Sequence, residues 1–388
     1  MATITIKNIG PIKEANLTLN KINVFMGPQS SGKSTIAKII SYCTWVEKRC
    51  LLDGEYKEDV RKQLLGFHHL DGNYFEDNSC FEYESDFVKI AYKGKNLEQE
   101  IIINEAKILD YNKTKNIYIP AERNFVSAIP NLGKYNETND NIMNLIYDWF
   151  TAKKGISKQH ALPVLNFDVD YYYQESTNSD MLALNKENKE IPLNTGSSGL
   201  QSIIPLIVII EYLTNSIYKI SPTISIKEKE YFSKLQEKYN IIGILEYAQL
   251  AVKRIHYTGT QFIIEEPEQN LFPETQRDLV YYLLKKLQSE REHTLTITTH
   301  SPYILYALNN CMLGKLIFDK MDEEDKDGIA CKTSLVHPKD VSIYQIDNGI
   351  LKNIQQDDGL IGENYFDDKM KEIMDDFYTL LKYYDDEK

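Results

Sequence analysis

No apolar run in the 388 residues approaches the roughly 20 that a bilayer-spanning helix needs. The longest, around Ile203 to Ile210, is far shorter, and Pro205 interrupts it. Membrane association is therefore not expected. Cysteine is scarce: Cys43, Cys50, Cys80, Cys311 and Cys331 are odd in number and form no C-x-x-C pair, against both a disulfide framework and a zinc site. Heptads of useful length, internal repeats and low-complexity tracts are missing, which disfavours a long coiled-coil arm. Positive charge is also in deficit. With a net charge of -13 the molecule as a whole repels phosphate, and any nucleic-acid contact must come from a local basic patch. The candidate patches are Lys93 with Lys95, Lys113 with Lys115, Lys153 and Lys154 with Lys158, and Lys285 with Lys286. The 27 tyrosines accompany abundant Ile, Asn and Lys, a compositional bias that does not imply a base-stacking platform. Met1-Ala2-Thr3 runs straight into alternating Ile4 and Ile6, leaving no room for a signal peptide, so a cytoplasmic location is expected.

The chain is organised around Gly27-Pro28-Gln29-Ser30-Ser31-Gly32-Lys33-Ser34-Thr35, which fits the phosphate-loop pattern G-x-x-x-x-G-K-[ST]. An apolar run, Ile22 to Met26, precedes it, and Ile36, Ala37, Ile39 and Ile40 follow at helical spacing, giving the strand-loop-helix context that the pattern requires. Backbone N–H groups of such a loop, with the helix dipole behind them, face phosphate oxygens. Lys33 would reach the β- and γ-phosphates of a nucleotide, and Ser34 would ligate magnesium.

Several later strands end in polar groups. Asn116 to Ile119 is a short strand stopped by Pro120, with Glu122 and Arg123 at its end; a surface ion pair explains those two equally well. Gln261 to Ile264 runs into Glu265-Glu266-Pro267-Glu268, and acids at the mouth of a buried strand are costly unless they hold a metal or a water. Thr294 to Thr298 ends at His300. Thr195-Gly196-Ser197-Ser198-Gly199 opens a strongly apolar helix, either as an ordinary cap or as a second anion nest of free N–H groups. Phe81 to Asn104 reads as an antiparallel hairpin about Lys93-Gly94-Lys95-Asn96, and Asp347-Asn348-Gly349 as another. Helices are predicted around Ile142 to Trp149, over Lys227 to Tyr239 and Ile244 to Ile255, and over Thr275 to Gln288. A last amphipathic helix from Phe366 carries Met370, Ile373, Met374, Phe377, Leu380 and Leu381 on one face; a core-covering role is favoured over docking a partner.

This ordered set resembles the ATP-binding-cassette superfamily, and within it the recombination-type heads that include chromosome-maintenance ATPases and the overcoming-lysogenization-defect (OLD) family. Gly27 to Thr35 resembles the Walker A loop, Ser197 to Gln201 the signature loop, Phe262 to Glu266 the Walker B strand, and His300 the switch histidine. Glu265 to Pro273 and Tyr118 to Arg123 look especially like segments of OLD-like ATPases. The resemblance implies an α/β head with a mixed central sheet flanked by helices, an antiparallel β subdomain near 80–105 and a helical insertion near 206–258. The head would occupy residues 1–310, followed by an extension over 311–388.

By the same resemblance, two copies would sandwich ATP and Mg2+. Lys33 would neutralise phosphate, Ser34 and Glu265 would hold the metal, Glu266 would activate water, and His300 would contact the γ-phosphate. Ser198 and Gly199 would close on the other copy's nucleotide. Three positions depart from the pattern: Glu265 stands where Asp is usual, Glu122-Arg123 where a glutamine is expected, and Leu200 where a second glycine is typical. The nuclease domain that follows the ATPase in OLD proteins is not evident in residues 311–388. The expectation is an ATP-hydrolysing switch acting on a separate effector or nuclease, with anti-phage defence as its setting. A non-hydrolysing scaffold and a DNA-repair clamp are the alternatives.

Overall fold

A computed structural model describes residues 2–54, 56, 59–129, 140–222 and 224–384. Ile4 and Ile6 alternate with polar residues, so one face of β1 (Ala2–Ile9) is buried, and β2 (Ile12–Leu19) returns antiparallel beside it. Every residue of β3 (Ile22–Met26) is buried, as expected of a strand covered on both faces. It feeds α1 (Lys33–Asp53), which ends at Gly54 in the left-handed conformation. Then come β4 (Phe75–Glu84), β5 (Val88–Lys93) and β6 (Glu98–Ile103), β7 (Thr114–Ile119), the short α2 (Phe125–Ala128) and α3 (Asn141–Lys153). Four short strands follow: β8 (Leu162–Pro163), β9 (Val169–Gln174), β10 (Ser179–Leu184) and β11 (Lys189–Pro192). Helices α4 (Ser198–Thr214), α5 (Ile226–Lys238) and α6 (Ile244–Ile255) lead to β12 (Gly259–Glu265), α7 (Pro273–Leu287), β13 (Thr294–Thr299) and α8 (Pro302–Ile317). The small α9 (Glu323–Gly328), the hairpin β14 (Val341–Asp347) and β15 (Ile350–Asn353), and α10 (Tyr365–Tyr384) complete the described chain.

The strands form an eleven-stranded mixed sheet, ordered β6-β5-β4-β1-β2-β15-β14-β3-β13-β12-β7, and a separate antiparallel sheet, β11-β10-β9-β8. Within the large sheet β14, β3, β13, β12 and β7 are parallel. Their carboxyl ends therefore share one edge, the place where open α/β sheets bind ligands. Two apolar layers cover the sheet. One is built on α1 with Phe25, Tyr118 and Ile263; the other gathers α3, α4, α7 and α8 over Val24, Ile119 and Ile264.

The expected hairpins and helices are present, with four differences of placement. The strands near 80–105 extend the main sheet outward from β1 rather than standing apart; the detached antiparallel sheet lies at 162–192. The hairpin assigned to a C-terminal extension lies inside the sheet, β14 against β3 and β15 beside β2, so residue 310 is not a boundary between two bodies. The apolar stripe of α10 covers no core: Ile373, Phe377 and Leu380 are exposed, and only the first residues of the helix, Tyr365 and Phe366, pack against the core. The periodicity identified its apolar face and carried no information about what that face meets. Finally, α4 continues through Pro205, and the helical stretch Ser198–Lys219 is long and apolar enough by composition to cross a membrane. Its apolar residues nevertheless lie in the core between α3 and the sheet. The stretch 130–139, ahead of the helix expected around Ile142 to Trp149, falls outside the described residues.

The Asn348-Gly349 turn joins β14 to β15 and docks on the β1–β2 turn. Gly349 has φ +82°, and its carbonyl accepts from the N–H groups of Lys13 and Glu14. A Cβ there would stand 2.5 Å from the Pro11 carbonyl oxygen. Gly349→Ala is expected to destabilise the protein by about 1–2 kcal/mol for the left-handed conformation alone. Urea unfolding monitored by circular dichroism would read this as a lower midpoint.

Candidate active site

The loop after β3 takes its shape from backbone angles that favour glycine. Gly27 and Gly32 have φ +145° and +106°. A Cβ on Gly27 would lie 2.5 Å from the Ile346 carbonyl oxygen of β14, and one on Gly32 would overlap the Ile12 side chain. The loop is thus clamped between the β1–β2 turn and the β14 strand. Lys33 is buried, its Nζ donating to the carbonyls of Gly27 at 2.9 Å and Pro28 at 2.7 Å. Burial lowers its pKa to about 8, while the charges of Glu266 and Glu268 oppose that fall. Pro28, Ser31 and Ser34 are partly exposed around it, Gln29 and Ser30 are exposed, and Thr35 is buried.

Two strands along, β12 ends in Glu265. Its carboxyl is buried, and Oε1 makes no hydrogen bond. Glu266 follows at φ +42°, uncommon for a residue with a side chain; its N–H donates to the Thr298 carbonyl at 2.9 Å. Its Oε1 lies 3.2 Å from Nε2 of His300, at the end of β13. That histidine, ahead of Lys33 and Arg123, holds the Glu266 carboxyl below the usual range, so Glu266 is an anion at neutral pH. Glu268 accepts from the His300 N–H at 2.7 Å and from the Thr299 hydroxyl at 2.8 Å, leaving Oε2 unpartnered. Burial raises its pKa. The sequence showed Glu268 within the acidic run and gave it no role; the structure makes it the residue that sets the His300 backbone.

The most consequential difference concerns Glu122-Arg123. Glu122 is exposed, but Arg123 is wholly buried and is no surface ion-pair member. Its guanidinium donates to the carbonyls of Glu265 at 2.8 Å, Glu266 at 2.8 Å, Pro267 at 3.1 Å and Ser202 at 3.2 Å. One side chain at the end of β7 therefore ties the acidic turn to α4. Burial lowers its pKa to about 10, with the four neighbouring glutamates opposing, so it stays charged near neutrality.

The start of α4 is capped by Ser197, whose hydroxyl accepts from the Leu200 N–H at 3.4 Å. Ser198 is exposed and makes no hydrogen bond to Lys33, Glu265, Glu266 or His300, whereas Gly199 and Leu200 are buried. A Cβ on Gly199 would stand 3.0 Å from the Asn270 carbonyl oxygen, so this glycine permits close packing against the turn after Glu266. Lys33, Glu266, Glu268 and His300 are thus gathered in one chain, and Ser198 faces outward.

No group of three or more His, Cys, Asp or Glu residues able to hold a metal exists among the described residues. A magnesium ion would instead need ligands from a bound nucleotide and water. The unpartnered, buried Glu265 Oε1 suits one position of such a shell, with the Ser34 hydroxyl as another.

Residues 132–305 match the AAA ATPase domain family, a stretch that contains Ser198, Glu265, Glu266 and His300 but not the Gly27–Thr35 loop. The match supports ATP binding and hydrolysis by an ATPase of this general type. Among solved structures, the chain is similar to the SMC head domain from Thermotoga maritima, with 11% identity over 91% of this chain and 97% of that one and a TM-score of 0.39. An SMC head bound to the C-winged helix domain of ScpA (10% identity, 91% and 96% covered, TM-score 0.38) is similar too. So is the dimeric MJ0796, a bacterial ABC transporter cassette (12%, 91% and 99%, TM-score 0.31). No curated protein matches significantly.

Arg123→Met would leave four carbonyls without their donor, and the expected loss is about 3 kcal/mol or more, read from urea unfolding. Lys33 gives a pH prediction. Its ammonium is the form that attracts phosphate, so nucleotide affinity measured by calorimetry should hold below pH 8 and weaken as pH rises towards 9.

Proposed function

We propose that this chain is an ATP-hydrolysing switch of the ATP-binding-cassette head type, which pairs with a second copy around ATP and magnesium and so controls a separate effector. The observation that carries the reading is the convergence of Lys33, Glu266 and His300 from the ends of the neighbouring parallel strands β3, β12 and β13. Lys33 would offset charge on the transferred phosphoryl group. Ser34 and Glu265 would hold magnesium, whose chemistry is to neutralise the phosphate oxygens. The anionic Glu266, held by His300, would orient a water in line with the γ-phosphate; positioning and electrostatics supply most of the catalysis in such reactions. Exposed Ser198 at the amino end of α4 suits a contact made to the nucleotide of the other copy.

An effector or nuclease as partner, and a role in anti-phage defence, rest on the OLD-like segments Glu265 to Pro273 and Tyr118 to Arg123. A DNA clamp is disfavoured by the pairing of several of the candidate basic residues. Lys153 is buried against Asp180 at 3.0 Å, Lys113 bonds Glu228 at 2.9 Å, and Lys115 bonds Asp148 at 3.0 Å. The non-hydrolysing scaffold draws on Gly199 and Leu200, which are packed inward instead of being offered to a neighbour.

Glu266→Gln should lower the turnover of ATP, followed by phosphate release, about 100- to 10,000-fold. ATP-dependent self-association in the ultracentrifuge should survive that change. Hydrolysis equal to the unaltered protein would sink the mechanism, and negligible hydrolysis in the unaltered protein with association intact would favour the scaffold.

A further inference from the structure

Helix α10 is rooted in the body of the protein and exposed beyond that root. The Tyr365 N–H donates to Gln345 Oε1 at 2.8 Å, the Tyr306 hydroxyl of α8 donates to the Asp367 carboxylate, and Tyr365 and Phe366 pack on the core. From Asp367 to Tyr384 every residue is exposed, so about 27 Å of helix runs outside the core at 1.5 Å per residue. Phe366, Met370, Ile373, Phe377 and Leu380 follow one another at spacings of four, three, four and three, which sets them in one line along the helix. Met374 and Leu381 widen that line. The six apolar side chains beyond Phe366 are 36–70% exposed. They offer on the order of 600 Å2 of apolar surface, the upper end of what a monomer leaves open. Two such faces together bury roughly 1,200 Å2, the lower bound of a specific interface.

Charge selects the occupant. At a net charge of -13 two copies repel as whole molecules, so a contact between them needs an uncharged surface, and the stripe carries no charged residue. The rest of α10 holds five acids against three lysines. That excess disfavours an anionic bilayer, because helices that lie on one are basic on their polar face. Placement points the same way. Gln345, which holds the root, lies on β14 in register with Met26 at the end of β3, beside the phosphate loop. Helix α8, which also holds it, starts two residues after His300. The root of α10 is therefore at the edge of the sheet where the sandwich proposed above brings in another chain.

We propose that α10 pairs along this stripe with α10 of a second copy, tethering two chains before any nucleotide binds. The pairing stands on α10 alone; its consequence for the ATP site rests on the sandwich reading. Once the chains are tethered, closure around ATP is intramolecular, and its effective concentration is set by the tether instead of by the protein in solution.

Sedimentation equilibrium of the full chain without nucleotide is expected to show a dimer at about 10 μM, as an interface of this size allows. Ile373→Asp combined with Phe377→Asp should raise the dissociation constant roughly 30-fold or more, since it drives charges into an apolar seam. Ile373→Leu should change it less than about threefold. Both positions are exposed, so circular dichroism should be unaltered. Phe377→Cys reads the pairing without added charge: a bismaleimide should link it to its counterpart on the second copy, as mapped by mass spectrometry. A chain that stays monomeric, including one that binds phosphatidylcholine vesicles instead, overturns the proposal. So does a dimer that the two aspartates leave intact. Loss of the dimer without the cross-link at 377 shows that the stripe meets another surface, and overturns the pairing of α10 with itself. In the Glu266→Gln chain with ATP, the two aspartates should shift the midpoint of ATP-driven association to about tenfold higher protein concentration. Absence of ATP-driven association in either chain would refute the sandwich reading instead, leaving the nucleotide-free dimer to judge the helix pairing.

Discussion

A charged guanidinium with no water around it is the constraint on which the rest of the site depends. Arg123 leaves the end of β7 and spends its hydrogen bonds on backbone oxygens of two other segments, the turn after β12 and the first turns of α4. Burying it is tolerable only because each donor finds an acceptor and four glutamates surround it at a distance. In return the turn from Glu265 to Pro267 is held in one geometry, including the left-handed Glu266, whose side chain is thereby directed to His300. A lysine could not replace it, since a point charge lacks the planar fork that reaches several carbonyls at once.

Around that fixed point the charges are mutually dependent. Lys33 tolerates burial partly because Glu266 and Glu268 face it, and the Glu266 carboxyl is held below its usual range by its hydrogen bond to His300 and by the charges of Lys33 and Arg123. Glu268 is set apart: deeper, with a raised pKa, and engaged in holding the His300 and Thr299 end of β13. Three carboxylates within four residues of sequence thus differ in their surroundings: Glu265 with an oxygen that has no hydrogen-bond partner, Glu266 as the partner of a histidine, and Glu268 as a backbone anchor.

What the sequence disclosed was local. The phosphate loop, the Glu265-Glu266 strand end and His300 were legible because each signal is a few contiguous residues at the end of an apolar strand, and parallel strands bring such ends together. Arg123 could not be weighed correctly, since its partners come from Ser202 and from Glu265 to Pro267, far along the chain. Lys153 looked like part of a basic patch because Asp180, which neutralises it, lies on another element. The apolar stripe of α10 was read correctly as a stripe and wrongly as core. The sheet at 162–192 went unrecognised because its strands are short and Tyr171 to Tyr173 show no alternation.

The seating of β14 and β15 between β2 and β3 bears on how the protein is made. On the ribosome the N-terminal strands emerge first, yet β3 cannot gain its neighbour on that side, nor Gly27 the carbonyl of Ile346 that abuts it, until residues beyond 340 have been synthesised. The sheet must therefore wait with an open slot, its phosphate loop unsupported, while some 300 intervening residues are added. A nascent or prematurely terminated chain carries the full loop sequence without the wall that shapes it, so the geometry of that loop is completed only late in translation.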